Sequence, residues 1–380
     1  MTEVARKRAK TLPVGKEKEV EIVYDLRSVE VPKDVTKLRC LLSVTAITER
    51  AFEGCTKLEE VVLNVGLETI GPKAFFGCES LSSIIIPSSV AKIASGAFWH
   101  CENLKEVVLN EGLQIIGGEA YSYCISLTRI KIPSTVTEIG NWAFQYCCNL
   151  KEVVLNEGLE VIEIGAFRDC KSLESIKLPS TVTEVGVWAF LHCLNLTEII
   201  ICEGVRVIGS QAFWGCISLS SIALPSTVTE VGYQAFQDCN NLTEITLHEG
   251  LEKIGEGAFD GCSSLVNVKF PSISKRLKNL LEAGYSEIQD TIDNIQHFEW
   301  NGDDLVVSTE AISDRSWCDD WTVTKGHLDH VLSWVSYYEL KEATTIFELA
   351  MWKAKIEEKG TVTIEERNSC RVDIPGPAKD

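Results

Sequence analysis

Apolar and polar positions along this chain follow one frame that returns every 23 residues. Its clearest copy starts at Leu127. Ile130 and Ile132 are apolar, and Arg129 and Lys131, between and beside them, are charged. Alternation of this kind predicts a short β-strand with one buried face. Val136-x-x-Ile139 follows as a second short apolar pair. Ala143-Phe144-x-x-Cys147-x-x-Leu150 closes the unit, and its spacing suits one helical turn with Phe and Cys inward. The frame does not slip. Cys occurs at 55, 78, 101, 124, 147, 170, 193, 216, 239 and 262. A Phe, or Tyr121 in one copy, stands three residues before each of these cysteines, and a Leu three residues after.

One such strand cannot bury its inner face alone, whereas stacked copies can, so a fixed period of this length predicts a solenoid. Every copy has the same sense, so the strands form a parallel sheet on one wall. The Ala-Phe turns form the opposite wall, and the Val136/Ile139 pairs form a third. A degenerate unit precedes the ten. Val35, Leu38 and Cys40 occupy the strand positions, and Val44 and Ile47 the second pair. Eleven strands at ~4.8 Å give a solenoid ~50 Å long.

The ends fall outside the frame. Residues 1–19 read as a basic flexible tail and 20–34 as an N-terminal cap, with short strands at Val20–Tyr24 and Val29–Val31. Residues 35–271 are the solenoid. Residues 272–380 read as a mainly helical cap or module. There a helix is expected from Ser274 to about Gln296, with Leu277, Leu280, Leu281 and Ile288 on one face. Further helices are expected around Leu328–Val335 and over Ala343–Glu358. Five tryptophans, Trp300, Trp317, Trp321, Trp334 and Trp352, give this segment the density of a folded module.

A period of 46 residues lies over the first. Turns built on Pro87, Pro133, Pro179, Pro225 and Pro271 alternate with turns built on Gly66, Gly112, Gly158, Gly204 and Gly250. Acid alternates too. The column Glu60, Ser83, Glu106, Arg129, Glu152, Ser175, Glu198 never places carboxylates in adjacent layers. The next outward column reads Val62, Ile85, Val108, Lys131, Val154, Lys177, Ile200. Its apolar members occupy positions where a solvated sheet prefers polar groups, and exposed apolar surface marks contact sites. Val62, Ile85, Val108, Lys131, Val154 and Lys177 are therefore the candidate partner-binding residues, with Glu106 and Glu152 tuning charge. The plain alternative is β-propensity filling an open sheet. On the turn wall, Phe76, Trp99, His100, Tyr123, Trp142, Tyr146, Trp188, His192 and Trp214 are expected mostly to pack between neighbouring turns.

Composition then limits the chemistry. The formal net charge is −19, which argues against nucleic acid as the partner. No apolar run is long enough for a membrane span. Arg6-Lys7-Arg8-Ala9-Lys10 has the composition of a nuclear-localisation patch, but a solvated tail is the first expectation. No apolar leader follows Met1, so a cytoplasmic location is expected. The chain has fifteen cysteines. A ladder of one per layer suits small buried side chains. It lacks the convergent ligand pairs of a metal site, and no cofactor is expected. Only one cluster could hold a metal or catalytic site, His327-x-x-His330 near Cys318, Asp319 and Asp320, and its pattern is weak.

The unit L-x-x-I-x-L-P-S-x-V-x-x-[IV]-G-x-x-A-F-x-x-C-x-x-L resembles the BspA-like, or Treponema-type, leucine-rich repeat over about residues 35–271. That resemblance implies a leucine-rich-repeat solenoid of eleven units and a non-enzymatic scaffold that binds a protein partner, here expected as a monomer. Two alternatives stand beside it. One is an enzymatic or metal-dependent C-terminal module; the other is a surface adhesion protein exported without an ordinary signal peptide.

Overall fold

A computed structural model describes residues 21–24, 31–248, 250–282, 298–301, 304–307 and 336. Its contacts divide the chain into two compact units, Met1–Ile245 with Gly250–Val266, and Thr246–Glu249 with Asn267–Asp380.

The first unit is a stack of near-identical layers, each contributing to three walls. Strands of three or four residues, from Lys37–Cys40 through Glu60–Val62 to Ser221–Ala223, form one wall. Their burial alternates: in Arg129–Lys131 the flanking residues are exposed and Ile130 is buried. The second wall is an unbroken parallel sheet of ten two-residue strands, from Ala46–Ile47 to Lys253–Ile254. Its register is one layer per rung, as in Ile116 opposite Ile139 opposite Ile162. These are the short apolar pairs of the repeat. Lys37–Cys40 and Ala46–Ile47 confirm the degenerate first unit, whose Val35, Leu38, Cys40, Val44 and Ile47 are all buried. Glu21–Tyr24 pairs in parallel with Lys37–Cys40. Val31 is not in a strand, and residues 25–30 lie outside the described residues.

The third wall consists of single turns. Cys147 N–H donates to Phe144 O at 3.2 Å, and Phe144 N–H donates across to Ala166 O in the next layer at 2.8 Å. One bond tightens the turn; the other ties layers together. Each Phe ring lies on its neighbour, with centroids 5.2 Å apart for Phe75–Phe98 and Phe98–Tyr121. From Cys78 to Cys262 each ladder Cys Sγ donates to the Phe or Tyr carbonyl of the preceding layer, as Cys147 does to Tyr121 O at 3.2 Å, and Cys55 Sγ lies 4.0 Å from Pro32 O. This orientation points the sulfurs at backbone oxygen rather than at each other. All described cysteines are free thiols. Burial pushes Cys40 up to about 11 and Cys216 up to about 12, so these groups stay neutral at ordinary pH. Of the adjacent pair, Cys147 is buried and Cys148 is only half-buried.

The alternation of turns has a mechanical basis. In the Gly-type turns Asn110 and Asn156 donate Nδ2 hydrogens back to Ile86 O and Ile132 O of the preceding layer, at 2.9 and 2.6 Å. The same turns reach forward. Glu111 accepts from Ser134 N and Oγ, and Gly112 N–H donates to Thr135 Oγ1. Thr135 Oγ1 in turn donates to Leu113 O at 2.7 Å. Glu157 with Ser180 and Glu203 with Ser226 repeat the arrangement. Bonds from Ser134 hold the Glu111 carboxyl below its ordinary range. The Pro-Ser-Thr turn thus presents the hydroxyls, and the Asn-Glu-Gly turn presents the amide and the carboxylate.

In the second unit the helix begins at Pro271 rather than Ser274 and is described to Glu282. Proline suits a first helical position, where its missing N–H removes nothing. Ile273, Leu277 and Leu280 are buried. Residues 283–297, the expected later helices, and Trp317, Trp321, Trp334 and Trp352 lie outside the described residues. The module is not wholly helical. Phe298–Asn301 and Asp304–Val307 form an antiparallel pair, and the latter strand also pairs with Asn267–Lys269. The hairpin was signalled by Asn301-Gly302 between two apolar stretches. Among the described residues no helix is long and apolar enough to cross a membrane.

Candidate functional site

The strand wall carries the eight candidate residues in two columns. Ile85 is 63% exposed and Val62 41%, whereas Ile84 and Val61, one residue away, are buried. The two-residue period of the strand forces this division. Val154 and Ile200 are also exposed, and Val108 is half-buried. Lys131, Lys177, Glu106 and Glu152 are exposed. Parallel register brings the columns together, setting Ile85 opposite Val108 and Lys131 opposite Val154. Arg129 likewise faces Glu152.

Three apolar neighbours were not read from the sequence. Leu42 and Val65 are 78% and 80% exposed, and Leu41 is also exposed; all lie in the turns that follow the first two strands. The signal was present, since Val65 replaces the Glu that occupies this turn position in later Gly-type copies. Two open grooves cross the same wall. One of about 480 Å³ is lined by Glu59, Glu60, Val62, Val65, Ile85 and Pro87, among others. The other, of about 570 Å³, is lined by Lys105, Glu106, Val108, Arg129, Ile130 and Lys131, among others.

The turn wall behaves mainly as packing. His100 stacks on Tyr123 with centroids 4.5 Å apart, and Tyr123 lies against Tyr146 at 4.6 Å. Trp142 meets Trp188 two layers away at 5.6 Å. A Cβ on the intervening Gly165 would overlap the Trp142 ring, so only glycine lets the two indoles meet. Lys73 Nζ lies 4.9 Å from the Trp99 ring centre. Asp169, buried, draws Arg168 Nε at 3.2 Å and His192 Nδ1 at 3.6 Å.

Among the described residues no cluster of His, Cys, Asp and Glu is arranged to hold a metal ion. His327, His330, Cys318, Asp319 and Asp320 lie outside the described residues. The chemistry available on the strand wall is therefore that of contact: exposed aliphatic groups, flanking charge and two shallow grooves on a hydrogen-bonded frame.

Among solved structures, the chain is similar to a leucine rich cell surface protein from Faecalibacterium prausnitzii A2-165. The identity is 27%, over 68% of this chain and 86% of that one, with a TM-score of 0.36. It is also similar to a leucine-rich repeat protein from Bacteroides ovatus ATCC 8483, at 26% identity over 68% and 84%, with a TM-score of 0.38. A leucine rich repeat protein of T. pallidum is 28% identical over 53% and 83%, with a TM-score of 0.39. No curated protein matches the chain. The model of the BspA type leucine rich repeat region matches residues 31–151, 144–266 and 189–291. With that match over more than half its length, and with the layered frame that the repeat builds, the chain belongs to the BspA-type leucine-rich-repeat family.

Proposed function

We propose that this chain is a non-enzymatic scaffold that binds a protein partner through the strand wall of its solenoid. One observation carries the reading: the row Val62, Ile85, Val154 and Ile200 is exposed on a regular sheet whose alternate residues are buried. Burying exposed aliphatic groups against a partner is favourable, at roughly 25 cal/mol per Å² of apolar surface removed from water. The wall needs little ordering on binding, because its backbone is tied layer to layer, and preorganisation lowers the cost of association. Glu106 and Glu152 set the charge beside the apolar row. In this reading the chain acts as a monomer in a reducing compartment such as the cytoplasm. The free thiols, those of the ladder aimed at carbonyl oxygens, support that compartment.

The test is the double variant Ile85→Lys with Val108→Glu, monitored for folding by circular dichroism. Partners recovered by affinity purification with the native chain are expected to be lost with the variant, their affinity falling by about tenfold or more. Recovery of the same partners at the same affinity refutes the strand wall as the binding face.

A further inference from the structure

The strand wall is not one continuous sheet. Ser83–Ile86 pairs with Glu106–Leu109 over four residues, and Arg129–Lys131 with Glu152–Val154 over three. Glu60–Val62 and Ser83–Ile86, however, belong to different sheets, as do Glu106–Leu109 and Arg129–Lys131. Each break falls where a Gly-type layer is followed by a Pro-type layer. The opposite wall runs unbroken through the same layers, and the Glu111–Ser134 bonds clamp the corner. The backbone ladder is therefore interrupted on the strand wall alone, and the two grooves lie along these two seams.

The grooves differ in chemistry. The first has an aliphatic lining, Val62, Val65, Ile85 and Pro87, with Glu59 and Glu60 at its edge. Glu60 is already engaged by Lys37 Nζ at 3.6 Å. The second is lined by three cations, Lys105, Arg129 and Lys131, against one acid, Glu106. No ion pair to these three cations is found among the described residues. On a chain of net charge −19, an unpaired cationic groove stands against the background field. Lys177 continues the positive charge two layers further along the same column.

Geometry then fixes the spacing. The seams are two layers apart, and rings in successive layers lie 5.2 Å apart, so the grooves are separated by about 10 Å. A segment in the extended polyproline II conformation advances about 3.1 Å per residue and returns to the same face every three residues, so side chains three positions apart span that distance on one side. We propose that the strand wall seats an extended acidic segment of its partner protein. An aliphatic side chain of the segment occupies the Val62–Ile85 groove, and a carboxylate three residues along reaches Arg129, Lys131 and Lys105. This rests on the strand-wall reading above and adds the chemical class of the partner.

Random decapeptides displayed on phage, selected against the full chain at low salt, test it. The expected binders combine an aliphatic residue with Asp or Glu three positions away. A synthetic, labelled binder read by fluorescence anisotropy is expected to weaken about tenfold on R129E/K131E, and to weaken as salt rises. Neutral or basic binders overturn the inference, as does equal affinity for R129E/K131E, or equal competition by a single-stranded oligonucleotide. Failure to select any peptide, while Ile85→Lys with Val108→Glu still releases the native partners, overturns the acidic segment and leaves the strand wall standing. Acidic binders unaffected by Ile85→Lys with Val108→Glu overturn both readings.

Discussion

Single residues show where the repeat is optimised and where it departs. Nine layers place Phe at the buried ring position, and one places Tyr121. Its ring stacks on Phe98 and Phe144 as Phe would, at 5.2 and 5.4 Å. Its hydroxyl, however, is fully buried and has no hydrogen-bond partner. Burial pushes its ionisation well above the ordinary tyrosine range, so the group stays a neutral orphan. A buried, unsatisfied hydroxyl costs about 1–3 kcal/mol, and removing it without leaving a cavity recovers part of that. Tyr121→Phe is expected to stabilise the solenoid by about 1 kcal/mol, measured by urea denaturation. No change, or destabilisation, shows that the hydroxyl is satisfied by water. The turn wall shows the reverse economy. His100, Tyr123, Trp142, Tyr146, Trp188 and His192 all adopt positive φ, at positions where other layers use Gly54, Gly77, Gly96 or Gly165. A left-handed backbone costs about 1–2 kcal/mol for a residue with a side chain. Ring contacts between adjacent layers, or two layers apart for Trp142 and Trp188, offset that strain.

At the scale of the turn and the strand, the sequence pattern was legible wherever one position recurred in one environment. Phe, Cys and Leu of each copy could be placed because burial at those points is uniform along the stack. The hydrogen-bond logic was less legible. Glu111, Ser134, Thr135 and Asn156 look like ordinary polar turn residues in the sequence. Their partners are about 23 residues away in a neighbouring layer, which only the fold brings close. The Asn rung supplies its own comparison. Asn110 and Asn156 bond the carbonyl of the preceding strand, while the same turn position is Cys202 in a later layer. Asn156→Ala is expected to lose about 1–2 kcal/mol, because Ile132 O loses its donor. Cys202→Asn is expected to gain about 1 kcal/mol by donating to Leu178 O. Thermal denaturation of the two variants gives opposite shifts in Tm if the rung carries this energy. Equal shifts would mean that packing of the side chain, rather than its amide, sets the stability of the corner.

At the scale of the whole solenoid, the sheet of the strand wall is interrupted at three Gly-to-Pro junctions, while at two others Glu174 N–H donates to Lys151 O at 3.3 Å and Val266 N–H to Thr243 O at 3.1 Å. Repeats that contact only their neighbours unfold in units set by the strength of each interface. Within a Pro-to-Gly pair the strand wall is tied. Lys105 N–H donates to Ser82 O at 2.9 Å, Thr197 N–H to Glu174 O at 3.0 Å, and Thr243 N–H to Ser220 O at 2.9 Å. Across three of the Gly-to-Pro seams, among the described residues, the equivalent amides of Ser82, Thr128 and Ser220 make no backbone bond to the layer before. Exchange of an amide with solvent is governed by the opening that frees it, and amides outside the ladder need no opening. Hydrogen exchange followed by NMR is therefore expected to show protection along the strand wall that lapses at these three seams. The amides of Lys105, Thr197 and Thr243 should be protected, and those of Ser82, Thr128 and Ser220 should exchange rapidly. The second wall should show no such lapses, since its ten strands pair without a break. Binding of a partner across the strand wall would then slow exchange most at the two seams that hold grooves. Ser82 and Thr128 should respond and Ser220 should not, because the grooves lie at the first two of these seams. Uniform protection along the strand wall would show that the seams close in solution, and would remove the grooves as preformed sites.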